Sequence, residues 1–353
     1  IFVFALRQNL TWFKSQRMFF SKQKTILGVD MGTSDRKIAQ ITHGSVNTLD
    51  TYGLVNLSYH IDTKSSDQAI TETANILKEL IVQARVVTKK CVISLPNSAV
   101  FTSVIEMPKM SEKELNAAMD YEAKKYVPLP FSEVALSWSV VSTNPANNSV
   151  NVLLTAVPNQ VRESYIRVFE LAGLELEIIE IEALALIRAL VTDPTRNSVI
   201  IDIGAKTTGL NFVKQGFLHL TRNLNVGGDT ITDRIAETLH ISQVRAEQFK
   251  KDFGVAESSF IPEAIKPILT TIKNEVKQLL VIYQSHGVVV NDIILAGGGA
   301  NIPGVTQFFQ DLGVQVELGN PLKKVGYPVA AEPILKRFGL HLPIAIGLAL
   351  REN

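Results

Sequence analysis

The chain has 353 residues, 46% of them hydrophobic, enough to bury a large core and more than one domain usually holds. Its 35 basic and 34 acidic residues leave a formal net charge of +1 and form no long block of one sign, which removes any general electrostatic case for nucleic acid. Cys91 is the only cysteine, so an intrachain disulfide is excluded, a thiolate zinc site is disfavoured and a reducing compartment fits. The histidines, at positions 43, 60, 219, 240, 286 and 341, show no helical pairing, and no structural metal is expected.

Residues 1–24 carry five basic residues, six aromatics and no acidic residue, as a membrane-surface helix or a targeting segment would. Met18 stands just ahead of a charged lead-in to the first strand, so residues 1–17 are expected to be upstream sequence and residues 1–23 are set apart as an extension. No apolar run approaches the ~18 residues that a membrane-spanning helix needs.

From there, strand and helix signals alternate, an α/β pattern. Strands are expected at Ile26 to Asp30, Lys37 to Thr42 and near Leu49 to Leu57, then a helix from about Asp67 to Ala84 with Ile70, Ala74, Leu77, Leu80, Ile81 and Ala84 at helical spacing. Strand CVISLP (Cys91 to Pro96) leads into FTSVIEMP, whose alternation suggests a half-exposed antiparallel strand. Ser111 and Glu114 form a capping box for a helix with Leu115, Ala118, Met119, Ala123 and Tyr126 on one face, ended by Pro128 and Pro130.

The second half restarts the first. TILGVDMGTS and NSVIIDIGAKTT share the order apolar run, aspartate, one apolar residue, glycine, small polar residues, about 170 residues apart, which suggests two like-folded domains. A third glycine cluster, DIILAGGGANIPG, follows a strand and precedes a helix expected near Pro303. Such loops aim backbone N–H groups and hydroxyls at phosphate, and glycine lets the backbone approach closely, so a nucleoside triphosphate held between the domains would give each loop a task. Asp30 and Asp202 then need a cation between themselves and phosphate, and Mg²⁺ held through water fits. Lys37 supplies a compact positive charge, although a solvated strand lysine is an equal reading of that residue alone. A single Asp-x-Gly loop is ordinary at a strand end; two copies followed by Gly-Gly-Gly are not.

These residues resemble the sugar kinase, Hsp70 and actin superfamily, and within it the PilM family of type IV pilus assembly proteins. GVDMGTSDRK is similar to its first phosphate motif, IIDIGAKTTGLNFVKQGFL to its second and ILAGGGANIPG to its adenosine motif, while MDYEAKKYVPLPFSEVALSW, RNLNVGGDTIT and PIAIGLALRE resemble PilM more narrowly. The resemblance runs from about Met18 to Asn353.

It implies an actin-like, two-lobed α/β ATPase fold. The first lobe would span 24–196, with an FtsA-like insert at about 97–150. The second would span 197–338, with a helical subdomain at about 233–286, and residues 339–353 would return to the first. It implies ATP and Mg²⁺ as cofactors, with Asp30 and Asp202 associated with Mg²⁺. Gly32, Thr33, Ser34, Lys37, Gly204, Ala205, Lys206, Thr207 and Thr208 match the phosphate loops. Gly227, Gly228, Gly297, Gly298 and Gly299 match nucleotide-lining backbone, and Glu247 with Lys250 a ribose-contacting helix. Glu182 matches a carboxylate that orients attacking water; a solvated glutamate at a helix start is its plainer reading. Asp35 and Lys206 depart from the small residues expected in the two loops, which makes binding a safer expectation than hydrolysis.

The family is regarded as a nucleotide-binding adaptor with at most slow ATPase activity, on the inner face of the cytoplasmic membrane. It receives the cytoplasmic N-terminal segment of PilN in a groove beside the insert, acts with other platform proteins and motor ATPases, and leaves self-association open. Two alternatives remain. A small-metabolite kinase needs a substrate lobe that residues 97–150 do not resemble, and an FtsA-like division protein would carry an amphipathic anchor that the residues after PIAIGLAL do not supply.

Overall fold

The computed structural model describes residues 2–4, 24–56, 66–145, 147–255 and 262–352. The expected start at Met18 lies outside them. The chain forms two compact units, one of Ile1–Pro96, Glu163–Leu190 and Asn320–Asn353, the other of Asn97–Arg162 and Val191–Gly319. The segment expected as an insert thus groups with the second unit, and the expected first lobe contributes to both.

In the first unit, β1 (Phe2–Phe4) pairs antiparallel with β4 (Thr48–Asn56), which continues the antiparallel run of β2 (Thr25–Asp30) and β3 (Asp35–Thr42). α1 (Asp67–Gln83) starts at Ser66, whose hydroxyl accepts from the Ala69 amide, and buries Ile70, Ala74, Leu77 and Leu80 as its spacing predicts. Gly53 lets it approach β4, because a Cβ there would lie 2.8 Å from Leu80 Cδ1. β5 (Lys90–Leu95) runs parallel to β2. It is an apolar strand between sheet neighbours, with Val92 and Ile93 fully buried.

The chain then enters the second unit. β6 (Phe101–Pro108), α2 (Glu112–Tyr126), β7 (Val134–Asn144) and β8 (Ser149–Pro158) form a three-stranded antiparallel sheet of order β6-β8-β7 covered by the helix. The Ser111–Glu114 capping box is present, and Leu115, Met119 and Ala123 join Ile105, Val152 and Leu154 in one core. Tyr126, expected on that stripe, is 40% exposed, because the helix ends there. Val127 is extended (ψ 116°) as the residue before Pro128 must be.

α3 (Asn159–Ala172) carries the chain back to β9 (Glu175–Ile181), parallel to β5, and α4 (Glu182–Leu190). The second unit resumes with β10 (Ser198–Ile203), β11 (Thr208–Lys214), β12 (Phe217–Leu224), α5 (Gly228–Leu239), α6 (Gln243–Phe253), α7 (Pro262–Ser285) and β13 (Asp292–Ala296). α8 (Val305–Phe309) and β14 (Gln315–Leu318) complete it. α8 begins two residues beyond the expected Pro303, because Gly298–Asn301 first winds a tight single turn.

The repeat read from sequence is present in the sheets. The run β4-β3-β2-β5-β9 and the run β12-β11-β10-β13-β14 have the same sequence of pairings, antiparallel twice and then parallel twice. Asp30 is the last residue of β2 and Asp202 the last but one of β10, the corresponding central strands, and each pairs near the start of the next antiparallel strand. α9 (Glu332–Phe338) and the wholly buried α10 (Pro343–Ala349) close the first unit. α10 packs close to β2 and α4: a Cβ on Gly28 would lie 2.0 Å from the Ala345 carbonyl, and one on Gly347 2.0 Å from that of Ala185.

Candidate functional site

In the first unit, β2 delivers Asp30 and the turn Met31–Ser34 returns the chain into β3, with Gly32, Thr33 and Ser34 half-buried. Asp30 is the register partner of Lys37, and Lys37 Nζ lies 3.1 Å from Asp30 Oδ2 and 2.5 Å from Asp35 Oδ1. Arg36, buried on the opposite face of β3, donates from Nη1 to the carbonyls of Gly32 and Asp35, fastening the turn. Burial raises the carboxyl pKa of Asp30, with Lys37 opposing and Asp35 adding to the rise. Burial alone would lower that of Lys37, but Asp30 and Asp35 outweigh it and the net shift is upward.

Glu182 opens α4, half-buried. Its charge reaches Tyr165, a fully buried phenol on α3 whose pKa is pushed far up by burial and by Glu182 and Asp30, with Arg36 opposing. The phenol is thus raised both by the expected water-orienting carboxylate and by Asp30. Tyr165 carries no sequence signal because it lies outside the glycine-aspartate patterns, and Arg36, although inside GVDMGTSDRK, has a role that depends on the burial that the fold gives it.

In the second unit, Asp202 is the penultimate residue of β10 and the hairpin Gly204–Thr207 leads to β11, closed by the Gly204 amide donating to the Thr207 carbonyl at 3.0 Å. Ala205 and Thr207 are half-buried and Lys206 is exposed. Thr208 is fully buried, and its hydroxyl donates to the Val226 carbonyl at 2.8 Å, so it braces the loop. The Gly227–Gly228 turn lies directly on this hairpin: the Gly228 and Asp229 amides donate to the carbonyls of Gly204 and Ala205 at 2.9 and 2.8 Å. A Cβ on Gly227 would lie 2.5 Å from the Ala205 carbonyl oxygen.

Gly297 comes to the same strand end, at φ +81°, where a Cβ would lie 2.5 Å from Asp202 Oδ1. Gly299 packs on Ile203, and Gly298 starts the tight turn between them. Asp202, the Gly204–Thr207 hairpin, Gly227–Gly228 and the Gly297–Gly299 loop are thus gathered at one end of one sheet.

Glu247 and Lys250 lie on α6 beside this cluster. Lys250 is buried, and its three N–H donors meet three oxygens: Gly228 carbonyl at 2.9 Å, Thr232 Oγ1 at 2.8 Å and Glu247 Oε2 at 2.5 Å. Thr232 Oγ1 donates in turn to Glu247 at 2.6 Å. Burial pushes the Glu247 pKa up, but bonds from Lys250 and Thr232 prevail and hold it below the ordinary value. Lys250 thereby ties α6 to the glycine turn, leaving Glu247 as the exposed end of the pair. Thr232 lies within RNLNVGGDTIT, and its only signal in the sequence is its place one helical turn after Gly228.

These residues fit an anionic nucleotide with a hard cation. Asp30 Oδ1 is buried without a hydrogen-bond partner, a free carboxylate oxygen of the kind Mg²⁺ takes. The missing Cβ at Gly32 leaves the Asp35–Lys37 pair open to the turn backbone, since a Cβ there would lie 3.3 Å from Lys37 Nζ.

A family model described as type IV pilus assembly protein PilM matches residues 28–353. The chain belongs to the PilM family. In its fold, this PilM family member is similar to the solved PilM–PilN type IV pilus biogenesis complex, with TM-score 0.82, 26% identity, and 92% of this chain and 98% of that one covered. It is also similar to EutJ from Carboxydothermus hydrogenoformans, with TM-score 0.58, 19% identity, and coverage of 93% and 89%. MreB 5 of Spiroplasma citri bound to AMPPNP gives TM-score 0.51 at 14% identity, with coverage of 90% and 97%. The shared architecture is the actin-like fold.

Among curated proteins, cell division protein FtsA of Streptococcus pneumoniae is 27% identical over 199 residues, 48% of this chain and 42% of that protein. EutJ of Escherichia coli is 32% identical over 145 residues, 41% of this chain and 48% of that protein. The chain spans about half the length of the curated relatives it matches.

Proposed function

We propose that this PilM family member is an ATP-binding adaptor of the type IV pilus assembly platform, docking on the cytoplasmic N-terminal segment of PilN at the inner face of the cytoplasmic membrane. The observation that carries the nucleotide part is the repeated strand–Asp–Gly loop, with Asp30 Oδ1 buried and unpartnered at the first copy. The pilus part rests on the family match over 28–353 and on the likeness to a chain solved as a PilM–PilN complex. Among the described residues no helix is long and apolar enough to cross a membrane, in keeping with attachment through a partner.

In this reading the turn Gly32–Ser34 and the hairpin Gly204–Thr207 present backbone amides and hydroxyls to phosphate, and Lys37 adds an ammonium charge. Asp30 at the first loop and Asp202 at the second are the carboxylates that would hold Mg²⁺ through water, and the Gly297–Gly299 loop would take the adenosine. Glu247 reaches the ribose, while Lys250 keeps Gly228 in place. Mg·ATP supplies the binding free energy that shifts a conformational population read by PilN. Glu182 orients water for at most slow hydrolysis. Other platform proteins and motor ATPases act with this pair.

Calorimetric titration with ATP and Mg²⁺ tests the nucleotide part: saturable one-site binding is expected, and absence of heat or thermal stabilisation across the millimolar range contradicts it.

A further inference from the structure

Lys37 is enclosed by carboxylates before any phosphate arrives. Its side chain is 12% exposed, against 2% for Asp30 and 21% for Asp35, the two partners of its ammonium. Asp30 is brought there by the register of β2 and β3. Asp35 arrives separately: it opens β3 two residues before Lys37, which puts both side chains on one face of the strand. Gly32 makes room for it, since a Cβ there would lie 2.6 Å from Asp35 Oδ1. Of the two cations in this turn, Arg36 is buried with Nη1 on the Gly32 and Asp35 carbonyls, so Lys37 is the one a phosphate can engage.

A turn aspartate ordinarily bonds a nearby backbone amide or stays solvated. Asp35 instead places a carboxylate oxygen on Lys37 at 2.5 Å, closer than Asp30 does. We propose that Asp35 is an internal stand-in for phosphate, holding Lys37 until nucleotide displaces it and thereby setting the affinity and cation requirement of the site. The idea rests on the nucleotide reading of this same loop.

The exchange has a definite electrostatic consequence. A phosphate oxygen gains a charge-assisted bond to Lys37 only as Asp35 loses its own, so the net gain is small. The displaced carboxylate stays beside the triphosphate and repels it, and a divalent cation between them relieves that repulsion. Asp35 therefore penalises free ATP more than Mg·ATP.

The test measures equilibrium ATP affinity of the full chain at fixed ionic strength, with Mg²⁺ and with chelator, for wild type, Asp35→Asn and Asp35→Ser, each checked for a cooperative thermal transition. Removing the competing charge is expected to tighten ATP about tenfold, the scale of one charged hydrogen bond, with a larger gain in chelator. Binding by the variants alone would support the proposal further. Equal or weaker affinity in both folded variants overturns the role of Asp35 and leaves the nucleotide reading standing. Absence of binding in wild type and variants alike overturns both.

Discussion

Lys37 and Asp30 face each other as register partners across β2 and β3, with the ammonium 3.1 Å from a carboxylate that is almost wholly buried. Lys37→Met leaves that carboxylate in a low-dielectric strand end without its cation, and a cost of about 3 kcal/mol is expected at neutral pH in urea unfolding. Asp30 already has a raised pKa, and losing Lys37 raises it further. A raised acid is stable while protonated, so the deficit should shrink as pH falls toward the ordinary carboxylate range and grow as pH rises through the folded value. Asp30→Asn in the same background should restore most of the loss.

Lys250 is a second buried cation, held by one backbone carbonyl and two side chains. Lys250→Ala removes the link between α6 and Gly228 while sparing every group proposed to touch phosphate. ATP affinity should fall about tenfold or more, with added proteolytic cleavage near the Gly227–Gly228 turn. Lys250→Arg should not rescue it, because a planar fork cannot meet three oxygens arranged around an ammonium.

Glu180 on β9 is nearly inaccessible and accepts from Arg188 of α4 at 2.8 and 3.1 Å, and from Arg351 beyond α10. Arg188 also donates to the Gly347 carbonyl at 2.5 Å. The closing helix is thus latched by charge at the position where Gly347 lies against the Ala185 backbone. Gly347→Ala should cost about 3 kcal/mol by overpacking, since the Cβ meets backbone that cannot rotate away. Glu180→Ala should cost a similar amount by stranding two arginines. Calorimetric melting measures both.

Cys91 lies in the core of β5, and burial, with smaller help from Glu177 and Glu175, pushes its thiol up to about 12. A folded value above the unfolded 9.0 means that its contribution is complete below the unfolded pKa and is lost as pH rises toward the folded one. Cys91→Ala should therefore flatten the fall in stability above about pH 9 relative to wild type. In the native protein, a thiol reagent at about pH 8 should label Cys91 only after unfolding.

The parts of this fold that the sequence announces are those whose cause is local. An apolar run ending in aspartate and glycine marks β2 and β10, Ser111 with Glu114 marks the start of α2, and Pro128 marks its end. The duplication of those signals about 170 residues apart is mirrored by the matching strand orders of the two sheets. What the sequence hides depends on partners distant along the chain. Lys250 meets the carbonyl of a residue 22 positions away, and the buried Tyr165 feels the charges of Arg36, Glu182 and Asp30 from a helix without a motif. Asp35 is visible as a departure from pattern, yet its bond to Lys37 depends on the face that β3 presents and on the space left by Gly32.

The central claim is tested most directly by the affinity of the full chain for the cytoplasmic N-terminal peptide of a PilN from the same genome, with and without Mg·ATP. A nucleotide-responsive adaptor predicts binding at about micromolar strength or tighter that changes several-fold when Mg·ATP is added. A folded protein that binds the peptide in neither condition would contradict the account.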